Sequence, residues 1–216
     1  MKIAIIGATG FVGKKLTTEA LNRGHEVIAL ARNVEGLTLD NEKLHKVKAD
    51  IFNVEKTAEL LKDQDLVISS YNPGWNNPNI YDDFLAGSKA IQEAVKKAGK
   101  RLIVIGGGGS LYVAPGVQAV DTPTFPEEYK AGATAARDYL TFIQLEKKLD
   151  WTFFSPAFEM HPGITDGRTG KFRLGKDNPV FNDKNESRLS VEDLAVAILD
   201  EAENPRHKRE RFTAAY

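Results

Sequence analysis

Lys2–Ile6 opens the chain as a short apolar run that Gly7 stops. A continuous apolar run bounded by glycine predicts a strand buried on both faces. Phe11–Arg23 then changes period: Val12, Leu16 and Ala20 fall on one face of a helix, and Gly24 ends it. The alternation continues. Glu26–Ala31 and Lys43–Ala49 predict a second and a third strand, and Val54–Leu61 a short helix. Asp65–Ile68 reads as a fourth strand, Tyr81–Ala98 as a long helix ended by Gly99, and Arg101–Ile105 as a fifth strand stopped by four glycines.

The second half is less regular. Pro126–Leu149 contains a helix with Leu140, Ile143 and Leu145 as its expected core positions, and Trp151–Ser155 reads as a sixth strand. Pro156–Asn185 is rich in Gly, Pro, Asp and Asn, which predicts loops and a short hairpin around Gly170–Leu174. Ser190 caps a closing helix to Glu203, with Asp193 three residues on, and Arg211–Ala214 reads as a final strand. Strand and helix alternating through short connections call for a parallel sheet covered on both faces by right-handed crossovers. The expected fold is an α/β, Rossmann-type doubly wound sheet with a small C-terminal loop-rich appendage. It is read as one domain over 1–216, with a dinucleotide-binding core in 1–155 and substrate-side loops and the closing helix in 156–216.

Composition narrows the function. At 216 residues the chain suits one such domain. A net charge of -1 gives no general attraction to nucleic acid or to an anionic membrane, so any anion site must be local. There is no cysteine, which excludes disulfides, thiolate nucleophiles and Cys-ligated metal, and fits a cytoplasmic location. His25, His45 and His207 are scattered and suggest no metal site. The opening apolar run is too short for a signal peptide, and no stretch approaches a membrane span. The Arg206–Arg211 cluster reads as a solvated basic patch, and Asp82-Asp83 and Glu127-Glu128 as first-turn helix charges.

The chemistry begins at Gly7-Ala8-Thr9-Gly10-Phe11-Val12-Gly13, between the first strand and the first helix. In this G-x-x-G-x-x-G turn, Gly7 permits the sharp exit from the strand. Gly10 leaves room for a pyrophosphate, and Gly13 lets the helix pack on the sheet. The free N–H groups and positive end of the helix then face the phosphates, and Thr9 adds a hydroxyl. An NAD-preferring site places an acid about 20 positions beyond the glycines, on the ribose 2′-hydroxyl. Here Arg32 follows Ala31, so NADP(H) is favoured, with NAD(H) possible; the alternative is a solvated surface arginine. Asp50 and Ile51 follow the third strand, beside the expected adenine. Ser69, Ser70 and Tyr71 follow the fourth and Gly106 and Gly107 the fifth, all at carboxyl ends where open α/β sheets bind ligands.

Ile5–Gly13, Ala31-Arg32, Ala49-Asp50, Arg101–Gly107, Leu149–Thr152 and Ser155-Pro156 together resemble the atypical short-chain dehydrogenase/reductase superfamily, in its NmrA-like and biliverdin-reductase-B-like branch. Ser190–Ala195 is similar to the late segment of NAD-dependent epimerase/dehydratase-like chains. Within the branch the chain looks most like bacterial proteins described as NADH-flavin reductases. The resemblance implies the fold, the nicotinamide cofactor and oxidoreductase activity.

The catalytic pair usual in that superfamily, a Tyr with a Lys four residues later, is missing: Tyr129 precedes Ala133 and Tyr139 precedes Ile143. Hydride transfer to a flavin or quinone does not need a protein acid, because the acceptor is an electron sink. A planar small-molecule acceptor is therefore expected, with a flavin possible as substrate. Its pocket is expected between Asn72 and Trp75 on one side, and Ser110, Tyr112, Phe158 and His161 on the other. Trp75 and Phe158 either stack on that ring or close the core. Ser110 sits where the superfamily keeps a serine near the nicotinamide, and is otherwise a loop residue. His161 reads as a substrate contact or a solvated loop histidine. A rival reading is a non-catalytic NADP(H) sensor. Another is an epimerase-like enzyme in which Tyr129, Tyr112 or Ser110 serves as an atypical acid.

Overall fold

A computed structural model describes residues 1–216. The elements in chain order are β1 (Lys2–Ile6), α1 (Phe11–Asn22), β2 (Glu26–Ala31), β3 (Leu44–Lys48), α2 (Val54–Leu61), β4 (Leu66–Ser69), α3 (Ile80–Ala98) and β5 (Arg101–Ile105). A hairpin of β6 (Tyr112–Ala114) and β7 (Val117–Gln118) follows. After it come α4 (Glu127–Gln144), β8 (Trp151–Phe154), β9 (Arg173–Gly175), α5 (Val191–Glu203) and β10 (Glu210–Ala215).

Eight strands form one sheet in the order β3-β2-β1-β4-β5-β8-β10-β9. Every neighbouring pair is parallel except β10 with β9, which is antiparallel at the edge. Ile3 faces Val27 of β2 on one side and Leu66 of β4 on the other, so β1 lies inside the sheet. The winding reverses between β1 and β4, which opens a crevice over their carboxyl ends.

Burial on both faces explains the unbroken apolar character of β1. Ile3 and Ile5 pack with Leu16 and Ala20 of α1 and Leu194 and Ile198 of α5. Ala4 and Ile6 point the other way, into a layer with Leu61 of α2, Phe84 of α3 and Tyr139 of α4. Each buried Leu or Ile contributes about 1.5–3 kcal/mol of transfer free energy. Packing of this kind is what holds α2, whose 8 residues are too few for a stable isolated helix.

Three expectations need correction. Leu145 is 74% exposed just past the end of α4, because that helix stops at Gln144. The segment expected to fold as a local hairpin around Gly170–Leu174 instead contributes β9, which pairs with β10 some forty residues later. The Arg206–Arg211 cluster is only partly solvated: the side chains of His207 and Arg211 are 12% and 3% exposed. The first-turn charges at Asp82, Asp83, Glu127 and Glu128 stand as expected, and the Ser190 hydroxyl accepts from the Asp193 N–H at 3.0 Å.

Candidate functional site

Gly7 leaves β1 with φ +79°, a conformation that L side chains rarely adopt, and a Cβ there would stand 2.7 Å from the Ser70 carbonyl oxygen. A Cβ on Gly13 would stand 2.1 Å from the Gly7 carbonyl oxygen, so α1 can meet the strand exit only through glycine. Gly10 differs. It is exposed, it caps α1 in ordinary extended geometry, and its Cβ position touches only the Gly7 oxygen, at 3.3 Å.

The start of α1 is electrostatically bare. It has no side-chain cap and no acidic residue in its first turn. Asn53 and Ser190 cap α2 and α5, and acidic side chains sit in the first turns of α3 and α4. No protein group accepts from the N–H groups of Phe11, Val12 and Gly13. Orphan donors at the positive end of a helix are the elements of an anion site.

Beside this turn, a Cβ on Gly36, on the loop that begins with Arg32, would stand 3.8 Å from the Thr9 Cβ. Arg32 is exposed and pairs with no carboxylate. Asp50 is exposed, and its Oδ1 accepts from the Phe52 N–H at 3.0 Å, while Ile51 is buried beneath. Ser69 is buried, and the Ser70 hydroxyl donates to the Ile6 carbonyl at 3.0 Å, bracing β4 against the turn. Tyr71 is half-buried. Its ring crosses Gly87 of α3 and its hydroxyl donates to the Asp83 carbonyl at 3.0 Å. Burial and the Asp83 charge push its pKa up against the opposing pull of Arg32.

The other half of the edge is rimmed by aromatic side chains. Trp75 is 55% exposed and packs over Gly132 of α4, where a Cβ would stand 2.8 Å from its ring. It meets Tyr129 edge-on at 5.4 Å. Tyr129 keeps its hydroxyl free of protein partners. The loop behind Trp75 is set by turns in which Asn72 Oδ1 accepts from the Gly74 N–H and Asn77 Oδ1 from the Asn79 N–H. Across the glycine turn, Phe158 lies against Gly108 and meets Phe181 edge-on at 6.1 Å. Trp75 and Phe158 therefore do not close the core. His161 is exposed, with its Nδ1 accepting from the Gly163 N–H at 3.1 Å.

Gly106 and Gly107 are half-buried between these two sides, and Gly106 admits the ring of Phe153 beneath it. Ser110 has no exposed surface. Its hydroxyl donates to the Gly107 carbonyl at 2.9 Å and lies 3.0 Å from the Ser155 hydroxyl, so it braces the turn from below. Tyr112 is exposed at the start of the hairpin. The sequence does not single out Phe181, and Arg211 reads there only as part of a solvated basic patch at the start of the last strand. Phe181 lies in an irregular stretch without periodicity, and Arg211 follows another charged residue, Glu210, at the start of the final strand, so its charge alone does not mark it as buried. A hollow of about 310 Å³ lined by Met1, Lys2, Gly24, Glu26, Lys43 and Asp65 lies at the opposite, amino edge and has no part in this arrangement.

Residues 7–202 match the family described as NAD(P)H-binding. The chain is 39% identical to the uncharacterized protein YwnB of Bacillus subtilis, over 99% of this chain and 97% of that one. Among solved structures it resembles a "putative epimerase" from Bacteroides thetaiotaomicron, with TM-score 0.91, 45% identity, and coverage of 100% and 96% of the two chains. It also resembles a "putative NADH-flavin reductase" from Streptococcus pneumoniae, with TM-score 0.84, 34% identity, and coverage of 100% and 99%. No helix is long and apolar enough to cross a membrane.

Proposed function

The chain belongs to the NAD(P)H-binding family, and from that premise we propose that it is an NADPH-preferring reductase of a planar acceptor such as a flavin or a quinone. The observation that carries this reading is the bare N-terminus of α1, whose orphan N–H groups open onto an edge rimmed by exposed aromatic rings. The N–H groups of Phe11, Val12 and Gly13 and the Thr9 hydroxyl hold the pyrophosphate, and Gly10 leaves its approach open. Arg32 pairs with the 2′-phosphate. Asp50 and Ile51 receive the adenine, and the backbone of Ser69–Tyr71 passes the ribose. Gly106 and Gly107 give the nicotinamide a flat seat. When bound, the nicotinamide supplies the hydride.

Trp75, Tyr112 and Phe158 orient the acceptor ring against that seat, with Asn72 and His161 at its margin. Of the side chains considered as acids, Ser110 has a committed hydroxyl, while Tyr129 and Tyr112 are exposed and keep theirs free of protein partners. Reduction of a flavin or quinone needs none of them, since water protonates the product. The resemblance to the Streptococcus pneumoniae structure supports the same acceptor class.

The missing Tyr/Lys pair and the committed Ser110 hydroxyl also favour a second reading, an NADP(H) sensor that turns nothing over. NADPH oxidation followed by absorbance decides between them, with FMN, FAD, riboflavin and a small quinone panel, and NADH in parallel. Saturable turnover establishes the reductase; tight NADPH binding without turnover against every acceptor transfers the assignment to the sensor.

A further inference from the structure

Arg211 stands near the start of β10, in register with Phe153 of β8, and its side chain is only 3% exposed. Its Nη1 donates to the Ser110 carbonyl at 2.6 Å, and its Nε to Asp177 Oδ1 at 3.1 Å. The guanidinium carbon lies 5.4 Å from the centre of the Tyr112 ring. The segments it touches also join one another: the Tyr112 N–H donates to the Asp177 carbonyl, and Asn178 Nδ2 to the Tyr112 carbonyl, both at 2.8 Å. One cation in the last strand thus ties together the turn after β5, the first strand of the hairpin, and the loop beyond β9.

Stability alone is a poor reason for this cation. Burying a guanidinium is costly, and an apolar side chain of similar volume often serves the fold as well. Its carboxylate partner, Asp177, is 60% exposed, which weakens the ion pair. What an apolar side chain cannot do is direct donors to two separate segments at fixed angles, and the planar guanidinium does that.

We propose that Arg211 is a positioning residue for the acceptor side of the cleft: it fixes Tyr112 and the Ser110 turn relative to each other, and so sets the width of the acceptor seat. The proposal rests on the reductase reading above. Removing the cation leaves Asp177 in water, so no uncompensated buried charge remains and Arg211→Met is expected to fold. Asp177→Asn, at an exposed position, serves as a second variant should it not.

The test compares steady-state kinetics, NADPH affinity and amide hydrogen exchange in wild type, Arg211→Met, Arg211→Lys and Asp177→Asn. Arg211→Met is expected to raise the acceptor KM about tenfold, with kcat and the NADPH Kd within about twofold of wild type. Arg211→Lys should recover part of the loss, and Asp177→Asn should shift KM in the same direction by a smaller factor. Exchange should quicken over residues 112–118 and 176–178 and stay unchanged at residues 7–16. An unchanged acceptor KM in the Met and Asn variants overturns the proposal. So does a rise in acceptor KM matched by proportional losses of kcat and NADPH affinity, which is the mark of general structural loss. If wild type turns over no acceptor, it is the reductase reading that fails. The exchange pattern then decides whether Arg211 holds these segments: unchanged exchange in Arg211→Met overturns that claim, and local quickening restored by lysine upholds it.

Discussion

The carbonyl oxygen of Gly7 lies 2.1 Å from the place where a side chain on Gly13 would begin. That approach seats the start of α1 against the end of β1, and it separates two glycines that look equivalent in the sequence. Gly13→Ala is expected to destabilise the protein by about 3 kcal/mol or more, because the obstacle is backbone and cannot turn aside. Gly10→Val meets only one atom, at 3.3 Å, and should cost about 1 kcal/mol of stability while abolishing NADPH binding. Thermal unfolding and a binding titration check both. A stable Gly13→Ala protein, or a Gly10→Val protein that retains its affinity, contradicts the assignment.

Arg32 is exposed and pairs with no carboxylate. Arg32→Asp is expected to weaken NADPH about 100-fold and NADH by less than about threefold, since only NADPH carries the 2′-phosphate proposed as the partner of this arginine. Equal losses for the two cofactors would remove arginine from that role.

The chain has two tryptophans, and they differ sharply: Trp75 is 55% exposed on the rim and Trp151 is 2% exposed in the core. A planar acceptor should therefore quench mainly Trp75 emission. In Trp75→Phe the quenching should vanish while binding remains, and Trp75→Ala should raise the acceptor KM about three- to tenfold. Quenching that survives Trp75→Phe would place the acceptor elsewhere.

Glu19 of α1 is 4% exposed, and Arg168 and Arg23 each donate to it at 2.8 Å. The hydrogen bond from Arg168, opposed by burial and helped by Arg23, holds its carboxyl below the ordinary value of 4.5. A carboxyl lowered in the folded state stabilises the protein above its unfolded value, and that contribution is lost as pH falls through the lowered folded value. Glu19→Gln should melt about 2–6 °C below wild type near neutral pH, and the gap should close as pH drops below 4.5. A gap that does not depend on pH would mean that the carboxylate charge contributes nothing.

The sequence by itself determined the layers and the glycine turn between β1 and α1. Both are local: the apolar runs of β1 and β5 report burial on both faces, and the demands on Gly7 through Gly13 come from atoms a few positions away, with Ser70 the exception. Arg32 was legible for the same reason, since it directly follows β2. What only the tertiary structure decided lies around the turn after β5 and the aromatic rim. Ser110 is buried because Arg211, 101 residues later, and Ser155, 45 residues later, close over it. Trp75 and Tyr129 form one rim because α3 and α4 stand side by side across the same sheet face, and β9 finds its partner in the last strand. These contacts join segments far apart in the chain, and the period of neither segment records the other. Whether a loop hydroxyl meets solvent or a buried arginine is fixed only when the sheet brings the two together.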